Sequence, residues 1–514
     1  MRARAATAEH APGVPETAAT EAAPRALVAV RRAAIAPMAP HARQLRTGKA
    51  GEVVSEIDEF DVIVLGAGPA GEVCAGRLAD ADLSVALVEQ ELIGGECSFY
   101  ACMPSKGLLR PAQALAEARR VPGAAQAATG ELDVAAALAR RDEIIHDLDD
   151  SAQLPWVEGH GITLVRGRGS LEGERRLRVG ERLLMARRAI VLAPGTVAAM
   201  PPIAGLREAR PWTNREATTA KSIPASLLVL GGGVVAVELA QAYASLGARV
   251  TIVEALDRLI SREEPPAAEL VAQALRDAGV EVLLGVEATA VEREPGADGR
   301  GEVALRLADG RSLSAEQLLV AAGRQARTDS LGLDSLGVEG GGYVDVDDTM
   351  RVPGHDWLYV VGDANGRVLL THMGKYQARL AADHILGKAV SLRSDGPLSP
   401  RVIFTEPQVA AVGHTLASAR SAGLSVRAVD QSIDAVAGAS FVGHGAPGMA
   451  RIVIDEDRDV LVGATFVGVE VADWLHAATI AVIGEIPLER LAHAVPCFPT
   501  RSEVWLRLLE DALD

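Results

Sequence analysis

Cys97 and Cys102 stand with four residues between them in the segment GGECSFYACMPSK, residues 94–106. Two thiols that close in sequence can form a disulfide, which accepts and returns two electrons. At positions i and i+5 their side chains do not stack on one helix, so a bond between them needs a distorted first turn. Such a bond is strained and reducible. A helix N-terminus also lowers a thiol pKa and supplies thiolate. The competing reading is a pair of small buried residues. The other two cysteines, Cys74 and Cys497, do not complete a secreted disulfide framework, since four in 514 residues is too sparse.

The elements that must position this pair come from the flanking sequence. Residues 61–65, DVIVL, form a short apolar run of buried-strand type. GAGPAG follows, with Gly66, Gly68 and Gly71, then a helical stretch to about Ala79 and a second strand, VALVE, ending at Glu89. Gly66 allows a tight turn, Gly68 lets the backbone approach a pyrophosphate, and Gly71 lets helix and strand pack closely. The helix N-terminus then favours the anion, and Glu89 accepts from adenosine ribose hydroxyls. The pattern recurs: LLVL at 227–230, GGGVVA with Gly231, Gly233 and Ala236, then VTIVE ending at Glu254. In both copies the glutamate lies 18 positions after the third small residue. One such pattern is weak, because glycine-rich turns are common. Two in the same strand–turn–helix–strand context imply two dinucleotides and electron transfer between them.

With these motifs the chain resembles the class I pyridine nucleotide–disulfide oxidoreductases, which include dihydrolipoyl dehydrogenase, glutathione reductase and mercuric reductase. The resemblance runs from about Asp61 to the C-terminus. It rests on GGxCxxxxCxPSK at Gly94–Lys106, LAPG ending at Gly195, AAGR containing Gly323, LYVVGDANG containing Asp363, and Gly169 in RGRG. It implies FAD on the first fingerprint and NAD(H), with NADP(H) as the alternative, on the second. Gly169 would touch the adenine side of FAD and Asp363 the ribityl chain. Cys102 would be the charge-transfer thiol facing the flavin and Cys97 the interchange thiol. Lys106 would lie near the flavin ring and pair with Glu238, against the plain alternative of a solvated helix lysine. The implied fold is α/β: two Rossmann-like dinucleotide-binding domains and a C-terminal α+β interface domain. The boundaries read as 56–205 for the first part of the FAD domain, 206–335 for the nicotinamide domain, 336–398 for the rest of the FAD side, and 399–514 for dimerisation.

The implied homodimer shares its active site, taking a His–Glu pair from an HPTxxE motif of the second subunit. Here the segment is CFPTRSE, residues 497–503. Glu503 is present, but Phe498 stands where the family has its base. A positioned base contributes about 10²–10⁴-fold, and a phenyl ring cannot replace it. His493 and Cys497 are the local substitutes, each weighed against an ordinary surface or packing role; Tyr100, inside the cysteine loop, is read mainly as a shape element. Mercuric reductases also lack the histidine, but they carry a vicinal cysteine pair at the C-terminus, whereas this chain ends LLEDALD. The reading is an NAD(P)H-dependent flavoprotein disulfide oxidoreductase acting on a small-molecule electron acceptor. The alternatives are a diaphorase or quinone reductase working directly from flavin, a dihydrolipoyl dehydrogenase-like or mercuric reductase-like enzyme, and a non-catalytic redox sensor.

Composition bounds the partners. A formal net charge of −17 argues against nucleic acid or an anionic membrane surface. No apolar run reaches the roughly 18 residues of a transmembrane helix. No metal site is expected. Residues 1–55 are rich in Ala, Pro and Arg without a sustained period, and read as a disordered leader. Arg31-Arg32 lacks the apolar segment of a twin-arginine signal, and an organelle transit peptide is the lesser alternative. The protein is therefore expected in the cytoplasm.

Overall fold

In the first sheet, apolar runs become parallel strands buried on both faces, as crossover-connected strands must be. The computed structural model describes residues 57–296 and 301–514; the expected leader lies outside them. The strand order is Thr163–Arg166, Val85–Glu89, Ile57–Leu65, Arg182–Leu192, Arg176–Val179, Gly169–Leu171, with Leu358–Val360 also pairing on Arg182–Leu192. The first strand starts earlier than DVIVL because residues 57–60 continue the parallel ladder to Arg182–Leu192. Arg176–Val179 and Gly169–Leu171 form an antiparallel extension. Two apolar clusters cover the two faces, around Val62, Leu78 and Ala381 and around Ile63, Leu177 and Trp357.

The helix Pro69–Ala79 follows the first strand directly, with proline at its first position, where its missing N–H and fixed φ cost nothing. A helix from the distant 371–385 segment packs on it. Arg77 binds Asp383 bidentately at 2.7 and 2.8 Å, and an added Cβ on Gly374 would lie 3.4 Å from Ala70 Cβ.

The second fingerprint sits in a four-stranded parallel sheet ordered Glu281–Leu283, Arg249–Val253, Ser226–Leu230, Gln317–Val320. The helix Val234–Ser245 crosses between its two central strands. A three-stranded antiparallel meander, Ala288–Arg293, Val303–Leu307 and Ser312–Ala315, accompanies it. Beyond residue 400 the pattern changes to a five-stranded antiparallel sheet ordered Arg401–Ile403, Gln408–Gly413, Val460–Gly468, Met449–Asp455, Val426–Ser432. Helices Leu475–Ile483 and Val504–Leu513 pack on it through Leu475, Ala478, Val504 and Leu508. The architecture is the α/β arrangement of two dinucleotide folds followed by an α+β unit. Among the described residues no helix is long and apolar enough to cross a membrane, and no group of three or more His, Cys, Asp or Glu could hold a metal ion.

Candidate active site

The first glycine turn forms one wall of a cleft of 520 Å³, within the usual size range of cofactor sites. Gly66 adopts φ +102°, and a Cβ there would lie 2.2 Å from the Ala193 carbonyl oxygen. At Gly71 a Cβ would lie 1.8 Å from the Gly66 oxygen, so only glycine permits this helix–turn approach. Gly68 differs: its φ is −70° and no chain atom lies within 4 Å of an added Cβ. Nothing in the polypeptide demands glycine there, so the space suits a group other than the chain. Gly195, at φ +70°, is open in the same way and lines the same cleft, as do Gly169 and Asp363.

Glu89 closes the far end, only 8% exposed. One of its oxygens accepts from Ala67 N–H at 2.7 Å and the other from Glu91 N–H at 2.6 Å. A carboxylate has about four lone-pair positions, so acceptor capacity remains for hydroxyls in the cleft. Burial pushes the Asp363 carboxyl above its ordinary range, while the Thr196 hydroxyl, donating at 2.7 Å, opposes the shift. Arg324 in turn donates through Nε to Thr196 Oγ1 at 2.6 Å. These residues fit the dinucleotide expected on the first fold: an open backbone turn, a helix N-terminus, and carboxylates at two points along the cleft.

The cysteines lie at the edge of this cleft. The single distorted helix expected for them is two helices, Gly95–Phe99 and Cys102–Arg120, broken at Tyr100–Ala101. Cys97 lines the cleft from the first. Cys102 is the first residue of the second, a 19-residue helix. Its Sγ lies 3.5 Å from Thr371 Oγ1. The hydrogen bond from Cys97 pulls Cys102 down to about 6 against the opposing effect of burial; the Thr371 hydroxyl and the Lys106 charge add to the lowering. The same hydrogen bond and burial push Cys97 above its ordinary range. The two shifts run in opposite directions, favouring thiolate on Cys102 and thiol on Cys97.

One turn further along that helix, Lys106 Nζ meets Glu238 Oε2 at 2.7 Å. The Glu238 side chain is 4% exposed, and its second oxygen accepts from Phe404 N–H at 2.9 Å. Lys106 also lies 4.7 Å from the Phe404 ring centroid. A single ion pair therefore joins the cysteine helix, the Val234–Ser245 helix and the start of the C-terminal unit.

The second glycine turn repeats the first. Gly231 has φ +110°, with a Cβ position 2.6 Å from the Ala321 oxygen, and Gly233 is open. Ala236 is fully buried. Gly323, at φ +127°, follows the Gln317–Val320 strand. Glu254 directly follows the Arg249–Val253 strand, accepts from Leu256 N–H at 2.7 Å, and places its carboxylate beside Gly232. Arg258 donates to the Ser261 carbonyl at 2.8 Å.

The C-terminal segment stands apart from this assembly. Phe498 is 76% exposed, Val495 81%, and His493 and Cys497 are also exposed. Glu503 ends a short 3₁₀ turn, Arg501–Glu503, and its buried Oε2 has no hydrogen-bond partner among the described residues. Within one chain, then, the structure brings Cys97, Cys102, Lys106 and Glu238 together and leaves Glu503 elsewhere.

Sequence reasoning missed several neighbours of the pair. Glu96, inside the cysteine motif, receives Arg215 Nε at 2.5 Å and Asn214 Nδ2 at 3.0 Å. Asn214 and Arg215 lie on a short helix, Asn214–Thr219, that opens with a Thr213–Glu216 capping box. That box was a readable helix start. Thr371 carried no signal beyond its position after the Asp363 motif.

Two dinucleotide folds, a dithiol at the edge of the first and a buried ion pair behind it define a nucleotide-dependent oxidoreductase. The chain belongs to the pyridine nucleotide–disulphide oxidoreductase family: residues 60–378 match the family model of that description, and residues 399–508 match that of its dimerisation domain. The family uses FAD and NAD(P)H. The chain is 30% identical to a dihydrolipoyl dehydrogenase of Chlorobaculum tepidum, over 88% of this chain and 97% of that one. It is 34% identical to a mercuric reductase of Acidithiobacillus ferrooxidans, over 74% of this chain and 69% of the other. The fold matches the HOCl-induced flavoprotein disulfide reductase RclA of Escherichia coli with a TM-score of 0.77 at 24% identity, covering 88% of this chain and 99% of that one.

Proposed function

We propose that the protein is a homodimeric, cytoplasmic NADH-dependent flavoenzyme that passes electrons through a Cys97–Cys102 disulfide to a small acceptor without a histidine base. The polarised cysteine pair carries this reading: thiolate favoured on Cys102 beside Thr371, thiol favoured on Cys97 at the cleft. FAD, when bound, supplies two-electron transfer between the nicotinamide and the disulfide. The chain's own part is to hold it. Gly66, Gly68 and Gly71 admit the pyrophosphate, Glu89 the ribose, Asp363 the ribityl hydroxyls, with Gly169 and Gly195 along the cleft. On the second fold Gly231, Gly233, Ala236 and Gly323 admit the nicotinamide nucleotide, and Glu254 faces its ribose.

Cys97 is assigned, as the family resemblance implies, as the thiol an acceptor meets. In the dimer Glu503 of the partner subunit would approach it, but Phe498 cannot move a proton. The acceptor must therefore need no base-assisted disulfide exchange. A second reading, direct transfer to quinones from the flavin, is favoured by the exposed apolar ring of Phe498 at that place.

Anaerobic titration with NADH, followed by a panel of lipoamide, low-molecular-weight disulfides, quinones and Hg(II), tests the proposal. Turnover that survives Cys97→Ser intact selects the quinone route. Turnover abolished by it supports the disulfide route.

A further inference from the structure

The break between the two cysteine helices has an unusual debt in hydrogen bonds. The carbonyl of Tyr100 would ordinarily look four residues ahead for a donor. That residue is Pro104, which has no N–H. Tyr100 (φ −132°, ψ −4°) and Ala101 (φ −133°, ψ −96°) are also non-helical. The Tyr100 N–H still donates to the Glu96 carbonyl at 2.8 Å and the Ala101 carbonyl accepts from Ser105 N–H at 3.1 Å, so it is the Tyr100 carbonyl, midway between Cys97 and Cys102, that the helices on either side leave without a donor.

It is held from another part of the chain. Asn214 Nδ2 donates to the Tyr100 carbonyl at 2.8 Å and Thr218 Oγ1 donates to it at 3.0 Å. Both residues are buried, at 5% and 1% exposure. Arg215, between them, lies 4.4 Å from the Tyr100 ring centroid, a cation–π distance. It also binds Glu96 at 2.5 Å and Glu91 at 2.9 Å. Asn214 adds a bond to Glu96 at 3.0 Å. The short helix is itself fixed, since the Thr213 N–H donates to Glu216 at 2.7 Å within the capping box. One helix therefore grips the residue before Cys97, the carbonyl between the cysteines, and the ring on that same residue.

We propose that Asn214, Arg215 and Thr218 are positioning residues that clamp the inter-cysteine loop at Tyr100 and so hold the two sulfurs at exchange distance. The clamp touches neither sulfur. It acts through the backbone that carries them. Without it the Tyr100 carbonyl turns toward other donors, and Cys102 loses its place at the helix start. This rests on the disulfide reading above.

The test uses the FAD-loaded protein, reduced by two electrons with dithionite so that no acceptor is needed. Two quantities are read: the long-wavelength thiolate–flavin absorbance as a function of pH, and the rate at which iodoacetamide alkylates each cysteine. For Thr218→Val, a change that keeps shape and removes only the hydroxyl, the Cys102 ionisation equilibrium should shift about fivefold toward the thiol, the size of one lost hydrogen bond, and the absorbance at neutral pH should fall. Its pH midpoint should rise, and the ratio of Cys97 to Cys102 alkylation should change by a similar factor. Thr218→Ser should restore both. Arg215→Ala, at a half-buried position, should shift the same readouts in the same direction and covers the case in which Thr218→Val fails to fold. Absorbance, midpoint and alkylation ratio all unchanged in the folded variants would overturn the clamp. A wild-type protein that shows no such absorbance and no reduction-dependent alkylation removes the disulfide reading itself, a different result.

Discussion

The polarised pair makes a quantitative prediction about pH. Cys102 is lowered to about 6, chiefly by the hydrogen bond from Cys97. For an acid with a depressed pKa, the ionised form exists above that value and is lost as pH falls through it. In the reduced protein the Cys102 thiolate should therefore persist through neutral pH and disappear with a midpoint near 6, while Cys97 stays a thiol. Cys97→Ala removes the donor. A hydrogen bond to a charged acceptor is worth about 1.5–3 kcal/mol, and one pKa unit corresponds to about 1.36 kcal/mol. The midpoint should then rise by about 1–2 units, to roughly 7–8. Cys97→Ser keeps an O–H donor and should hold the midpoint within about half a unit of the wild type. The assay is the pH titration of the thiolate–flavin absorbance, with ultraviolet thiolate absorbance of the FAD-free protein as the second probe. A wild-type midpoint near the ordinary thiol value refutes the reasoning. So does a Cys97→Ala midpoint equal to that of wild type, because Cys97 could then not be the main cause.

Other outcomes follow from the same geometry. Gly68→Ala should leave thermal stability unchanged, because no chain atom opposes the new methyl, but should lower FAD content of the purified protein. Gly71→Ala drives a methyl to 1.8 Å from a carbonyl oxygen and should cost about 1–3 kcal/mol or prevent folding, read by thermal denaturation. Heat-released cofactor should be FAD and not FMN, judged by chromatography. With Glu254 beside the second glycine turn and Arg258 engaged by Ser261, kcat/KM should favour NADH over NADPH by at least about tenfold. Phe498→His should raise turnover with a low-molecular-weight disulfide while leaving the rate of NADH-driven flavin reduction unaltered; rapid wild-type turnover with such disulfides, about 10–10³ per second, would instead point to His493.

What was legible in the sequence was what depends on neighbours along the chain. Gly66 and Gly231 announce their turns because a positive φ and a close carbonyl exclude every other residue. The paired strands announce themselves because both faces are buried and the runs are apolar throughout. The change to an α+β unit near residue 399 was expected from the family resemblance, not from the local pattern. What was not legible depends on contacts across hundreds of residues. Thr371 reaches Cys102 from 269 positions away and Asn214 reaches the cysteine loop from 114. Neither has a local signature, because a threonine or an asparagine in a loop is ordinary. The Tyr100–Ala101 break lay between. Its cause, a proline four residues past an otherwise helical carbonyl, stands in the motif, but what satisfies that carbonyl does not.

The C-terminal segment shows the same limit from the other side. A single altered letter, Phe498, was enough to predict a missing base, because the argument needed only the chemistry of a phenyl ring. Its surroundings depend on a surface that one chain does not supply. Phe498 and Val495 are among the most exposed large apolar side chains described, and Glu503 keeps an unpaired buried oxygen where an orienting contact would be expected. An unpaired buried oxygen is costly unless something supplies a donor. In the homodimer, that donor would come from a second subunit or from the acceptor bound between the two. On the function proposed above, the half-reaction that reduces the flavin would use residues of one chain only. On the same reading, the half-reaction that spends the electrons would use this segment, and acceptor choice could then change through residues 493–503 while the nucleotide clefts stay as they are.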